Sequence, residues 1–266
     1  MKKITVIGGD NRLKIVKEEL QKSGYNVDSI GLLEDDCGDY KGSDIIVLPV
    51  PTTKDHINIF TPLTSRKIPL SEIYENTSNE QLILSCNYFF ENKKCVDYGA
   101  LDSYALLNAV PTAEGAIKLA IENTNYTLWK ANVLVIGYGR VGKILANRLK
   151  AFGADVTVSA RKPADFGLLS ALGFNYINTE HLNLKPIKYD IIFNTVDAKV
   201  IDDKSFKNCR SDLLIDLASA SNLNFAAAEE CKIRTIKAPG LPGKIAPKTA
   251  ADILVNTIKY IINSYN

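Results

Sequence analysis

The chain has 266 residues, 46% hydrophobic and 23% charged, and its formal charge is +2. That length holds one large or two medium domains with full cores, while near-neutral charge spread along the chain gives no strong pull toward nucleic acid or a membrane surface. No stretch approaches the roughly 20 apolar residues of a membrane span, the five cysteines form no Cys-x-x-Cys pair, and the two histidines have no ligand partner at useful spacing, so no metal is expected and the cytoplasm is the default compartment.

The first expected strand is Ile4-Thr5-Val6-Ile7, entering Gly8-Gly9-Asp10. A helix follows over 11–23, with Leu13, Val16 and Leu20 on one face, and Gly24 ends it. Strands are then expected over 25–30, 44–48, 81–84 and 94–96, with Pro49 and Pro51 forcing an extended loop after the third. Residues 101–110 and 112–123 carry helical patterns, and Pro111 between them suits a helix start. A second α/β run extends from about 129 to 237, with strands expected over 132–136, 154–158, 190–194, 212–216 and 233–238. Pro239-Gly240-Leu241-Pro242-Gly243 reads as a break, and 249–265 as a final amphipathic helix that returns to the first run.

The motif with most chemical content is Gly137-Tyr138-Gly139-Arg140-Val141-Gly142. It follows the apolar strand Asn132–Ile136 and opens the helical segment 143–150, which is the context that a dinucleotide site requires. Gly137 permits the tight turn, Gly139 admits a pyrophosphate to the backbone, and Gly142 lets helix and strand pack closely. Unpaired N–H groups at the helix N-terminus complete the phosphate site. An NAD site usually carries Asp or Glu about 20 residues on, for the ribose 2′-OH. Here the strand ends Ser159-Ala160-Arg161-Lys162, a hydroxyl and two cations suited to a 2′-phosphate. NADP is therefore expected, with NAD the alternative, unless Arg161 and Lys162 are only a solvated pair. Asn194-Thr195-Val196 and Ala218-Ser219 end later strands where nicotinamide or its ribose would sit.

The fold expected is α/β: two Rossmann-like, doubly wound parallel-sheet domains with an interdomain cleft. Residues 1–110 form a substrate domain completed by the helix 247–266, residues 111–128 a linking helix, and residues 129–240 the NAD(P)-binding domain. Carboxyl ends of the strands are expected to face the cleft. Asp10 and Arg12 follow the first strand, with Arg12 available to a carboxylate; a plain strand-to-helix turn capped by Asp10 is the alternative. Asn108, Thr112 and Glu114 are expected near a helix N-terminus at the lobe junction. The Pro/Gly segment before Pro247 is expected to hold an irregular backbone that delivers Lys244 to the cleft, or to be a rigid connector.

Eight blocks then carry a resemblance: Gly8-Gly9-Asp10 with Arg12, Leu48–Pro51, Asn108 through Pro111-Thr112-Ala113-Glu114-Gly115-Ala116-Ile117, Gly137–Gly142, Ala160-Arg161-Lys162, Phe193–Val196, Ile215–Ser219 and Leu241-Pro242-Gly243-Lys244-Ile245-Ala246-Pro247. In that order and spacing the chain resembles the dipicolinate synthase A-subunit family, the nicotinamide-binding subunits of a sporulation enzyme. The layout is more distantly similar to alanine and D-2-hydroxyacid dehydrogenases. The resemblance implies NAD(P)-dependent oxidation of a dihydrodipicolinate-type ring, a small dicarboxylic substrate, in the mother cell of a sporulating bacterium. It also implies an oligomer and a flavoprotein-like second subunit. On that reading Arg12 and Lys244 bind carboxylates, and Asn108, Thr112, Lys244 and Glu114 serve the chemistry, with Glu114 relaying a proton. A cofactor-binding scaffold with the redox step on its partner, and a hydroxyacid or amino-acid dehydrogenase, are the other readings. The chain departs from the family pattern at Asp197, where Pro is usual, and at Ala220-Ser221-Asn222-Leu223, where a Pro-Gly-Gly turn is usual.

Overall fold

The computed structural model describes residues 2–265. They divide into two compact units, residues up to 108 together with those from 246, and residues 109–245. In the first, β1 (Lys3–Ile7), β2 (Asn26–Ile30), β3 (Ile45–Val47), β4 (Leu82–Ser85) and β5 (Cys95–Asp97) form a parallel sheet in the order β2-β1-β3-β4-β5. Successive side chains of a strand point to opposite faces. Ile4 and Val6 accordingly join Leu13, Val16 and Leu20 of α1 (Asn11–Lys22) in one layer, while Ile7 and Ile46 join Ile73 of α2 (Leu70–Asn76) in the other.

The C-terminal helix, Pro247–Ser264, completes the first layer. Its Ala251, Leu254, Val255, Ile258, Ile261 and Ile262 recur at helical spacing and are all buried in the layer that α1 covers. Truncating Leu254, which is fully buried, to Ala should cost about 2–5 kcal/mol. A urea titration reads this as a lowered midpoint at unchanged slope; an unmoved midpoint would show that the helix does not hold this unit together.

Where the chain passes from the first unit to the second it forms one continuous helix, α3 (Asp102–Asn123), with Pro111 inside it. This corrects the expected pair of helices. Proline removes a single N–H and its φ fits a helix, so the only intrahelical bond necessarily lost is the one to the Leu107 carbonyl. Burial of Ala109, Ala113, Ala116, Ile117 and Ala120 along one side offsets that loss.

In the second unit the strands are β6 (Asn132–Ile136), β7 (Asp155–Ala160), β8 (Asn175–Asn178), β9 (Ile191–Asn194), β10 (Leu213–Asp216) and β11 (Arg234–Lys237). They too pair parallel, in the order β11-β10-β9-β6-β7-β8. Val133 and Val135 face α4 (Arg140–Ala151) and α5 (Pro163–Ala171), while Leu134 and Ile136 face the side of α6 (Asp203–Phe206) and α7 (Phe225–Glu230). The short strand β8 and the helices α5 and α7 carry no strong hydrophobic period, so the sequence does not disclose them.

The segment 239–247 is a second correction. After Gly240, at φ +70°, it forms a short helix, α8 (Leu241–Ile245), and not an irregular loop. Leu241 and Pro242 are buried, and Leu241 belongs to the α3–α4 core, so packing fixes the turn that Pro and Gly alone would leave open.

Candidate nucleotide and substrate sites

In open parallel sheets, ligands bind beyond the carboxyl ends of the strands where the strand order reverses. In the second unit that point lies between β6 and β9, and it holds the glycine turn. The Thr195 N–H and hydroxyl both donate to the Ile136 carbonyl, at 3.0 and 2.8 Å. Gly137 has φ +99°, and a Cβ there would sit 2.6 Å from both Thr195 Oγ1 and Val196 Cγ1. A Cβ on Gly142 would lie 2.1 Å from the Gly137 carbonyl oxygen. Gly139, the N-cap of α4, differs: nothing lies within 4 Å of a Cβ there, and its φ of −77° strains no residue. Two glycines are thus filled by the protein, and the third faces open space at a helix N-terminus whose N–H groups suit phosphate. This geometry fits a dinucleotide.

The flanking residues divide by role. Tyr138 is buried; the Lys143 ammonium lies 5.0 Å from its ring centre and 4.0 Å from Asp165. Arg140 and Val141 open α4. Arg161 and Lys162 are exposed immediately before α5. Ser159 corrects the sequence expectation. It is fully buried and its hydroxyl is bonded to Thr179 at 2.7 Å, so it braces the end of β7 against the turn that follows β8. Asn194 is also fully buried, donating to Asp216 at 2.7 Å and to the Val196 carbonyl at 2.8 Å. It holds the β9 and β10 ends together, and its amide group is taken up within the protein. Ala218, half-buried, donates its N–H to Asp216, and Ser219 is exposed.

The first unit reverses order between β1 and β3, and one guanidinium bridges the two following loops. Asp10 caps α1 by accepting the Arg12 N–H at 3.0 Å. Its carboxylate also takes Arg12 Nε at 2.9 Å and Nη2 at 2.8 Å, and Nη2 reaches the Val50 carbonyl at 2.8 Å. Arg12 is 5% exposed, so it is not the free cation expected from sequence: the alternative of an Asp10-capped turn is what the structure shows, with Arg12 tied into the same unit. Its Nη1 makes no hydrogen bond among the described residues.

Sequence reasoning missed the surroundings of Arg12. The Tyr98 and Tyr104 rings meet edge to face at 5.3 Å, and the Tyr98 hydroxyl donates to the Leu48 carbonyl at 2.8 Å. Cys86 donates its N–H to Thr52 Oγ1. Burial works to lower the Arg12 pKa, but the hydrogen bonds and charge of Asp10 outweigh it and raise it. Burial pushes the Cys86 thiol up to about 12, with Asp97 adding to the effect, and raises both tyrosines. These neighbours are therefore neutral, the guanidinium is permanently charged, and Cys86 is no thiolate nucleophile at neutral pH. They share no local spacing, so only the fold reveals them.

The expected trio on α3 does not share a face. Glu114 lies two residues beyond Thr112, about 200° around the helix, and pairs with Arg148 of α4 at 3.2 Å. Arg148 is eight residues past Arg140, about 12 Å along α4 from the phosphate end. None of Asn108, Thr112 and Glu114 is at a helix N-terminus. Lys244, on α8, is exposed and makes no hydrogen bond or ion pair among the described residues.

Residues 3–101 match the family model of the dipicolinate synthase A-subunit N-terminal domain, and residues 125–236 a model described as putative NAD(P)-binding. The dipicolinate synthase A-subunit of Bacillus subtilis (strain 168) is 31% identical, covering 98% of this chain and 95% of the relative. The chain belongs to the dipicolinate synthase A-subunit family. The crystal structure of the Bacillus halodurans A-subunit superposes with a TM-score of 0.86 at 29% identity, covering 98% of this chain and 97% of that one. The apo-structure of D-lactate dehydrogenase from Escherichia coli shares the fold, at a TM-score of 0.60 and 13% identity over 99% of this chain and 96% of that one.

Asp197, after β9, and the loop after β10 meet in space. Asp197 Oδ1 accepts the Ala220 N–H at 3.0 Å, and the Asp197 carbonyl accepts Asn222 through its N–H at 3.2 Å and its Nδ2 at 2.9 Å. Side-chain and backbone hydrogen bonds thus lace the loops after β9 and β10 together. Among the described residues no helix is long and apolar enough to cross a membrane, and no group of three metal-binding side chains occurs.

Proposed function

We propose that this chain oxidises a dihydrodipicolinate-type ring to dipicolinate with NADP+ as the acceptor, in the mother cell of a sporulating bacterium. The observation that carries the reading is that Gly139 stands open at a helix N-terminus in the NAD(P)-binding unit, while the family's N-terminal domain holds a buried, charged guanidinium with one donor to spare. When bound, the nicotinamide supplies the hydride acceptor. The Gly137–Gly142 turn holds the pyrophosphate, and Arg161 and Lys162 take the 2′-phosphate.

The chain's own groups orient the substrate. Arg12 Nη1, held in place by Asp10, and the exposed Lys244 ammonium are the two candidate partners for substrate carboxylates. Asn108 and Thr112, one turn apart on α3, contact the ring. Aromatisation supplies driving force, so alignment contributes more than strong acid–base help. Proton transfer is not assigned to Glu114, because Arg148 holds its carboxylate. A second, flavoprotein-like subunit is the proposed partner.

Cofactor choice is tested directly. Titrating both nucleotides should give tighter NADP than NAD binding, and Arg161→Ala should erase most of the difference by removing a charge-assisted phosphate contact of about 1.5–3 kcal/mol. Equal wild-type affinities would refute the assignment.

A further inference from the structure

The second unit carries a groove, remote from the glycine turn, between α3 and the end of α4. It encloses about 560 Å³ and is mostly apolar in lining. Ile121 and Phe152 stand 50% and 51% exposed at its walls, and Trp129, 63% exposed, lies against Gly153 beside it. Contiguous large apolar side chains of this kind on a water-facing surface mark a contact site. A second observation is polar: Arg148 Nε is shut off from water with no acceptor, although the same side chain pairs with Glu114.

The charges say what fits. Along α3, Glu114, Lys118 and Glu122 alternate at four-residue spacing beside the apolar row Ile117–Ile121, and Lys118 and Glu122 pair at 3.1 Å. With Arg148 the groove holds two charges of each sign. A strongly acidic or basic partner would be attracted by half of them and repelled by the rest. An antiparallel copy of the same helix, centred between Lys118 and Glu122, brings Lys118 to the partner's Glu122 and Glu122 to the partner's Lys118. It lays the apolar rows together between them. Self-complementarity of this sort is the signature of a two-fold interface.

We propose that this face is an isologous interface between two copies of this chain, formed by α3 and the end of α4. It does not depend on the proposed reaction. Sedimentation equilibrium of the full chain across the micromolar range should show a dimer. Lys118→Glu and Glu122→Lys, both at exposed positions, should each weaken it by roughly tenfold or more through like-charge contacts. Mixing the two variants should restore assembly, since each then meets its opposite. Far-UV circular dichroism and NADP binding should be unchanged in both, showing intact folding. A monomeric wild type, dimerisation indifferent to both substitutions, no rescue on mixing, or assembly only with a different chain would each overturn the proposal.

Discussion

Gly139→Val should weaken NAD(P) binding by orders of magnitude while lowering thermal stability only slightly. The position has ordinary backbone angles and open space around a Cβ, so the apo fold loses only the preference of a helix N-cap for Gly over Val. The added branch occupies the approach of phosphate to the first N–H groups of α4. Losing two charge-assisted hydrogen bonds at about 1.5–3 kcal/mol each amounts to a ~10²–10⁴-fold weaker complex. Gly142→Ala gives the contrasting case: its Cβ would stand 2.1 Å from the Gly137 oxygen, so the strand–helix junction must move and stability must fall. Calorimetric titration and melting curves on both variants separate a blocked site from a broken one. Full nucleotide affinity in the valine variant would mean the pyrophosphate binds elsewhere.

The second large effect is expected at the two cations. Lys244→Ala touches no interaction within the described residues, so folding and NADP affinity should hold while the substrate KM rises. Losing one partner of a desolvated charge contact costs about 2–5 kcal/mol, roughly 30- to 5000-fold. Arg12→Lys keeps the charge but not the planar fork that grips Asp10 through Nε and Nη2. It should raise KM comparably, with some loss of stability because Asp10 is left poorly paired. If Lys244→Ala instead removed NADP binding and left substrate saturation alone, Lys244 would belong to the cofactor site and its assignment to a substrate carboxylate would fall.

What the sequence discloses tracks how local the determining physics is. The glycine turn is legible because strand, turn and helix adjoin in the chain. The sheet strands are legible because burial on both faces writes continuous apolar runs. Pro111 misleads because a single proline's cost is set by the packing around it, and here a buried alanine face outweighs it. Ser159 and Asn194 look like ligand groups from their place at strand ends, yet their partners, Thr179 and Asp216, lie 20 and 22 residues away. Arg12 is visible as a cation, but Cys86, Tyr98 and Tyr104 come to it from after β4, after β5 and from α3, far along the chain.

The most direct test is turnover of the dihydro ring by the purified chain with NADP+, alone and then with its second subunit, following dipicolinate and reduced nicotinamide together. One NADPH should form per dipicolinate, with the rate lost in Gly139→Val. Dipicolinate formed without NADPH, with the electrons appearing on a flavin of the second subunit, would contradict the proposed oxidation and leave this chain a cofactor-binding scaffold.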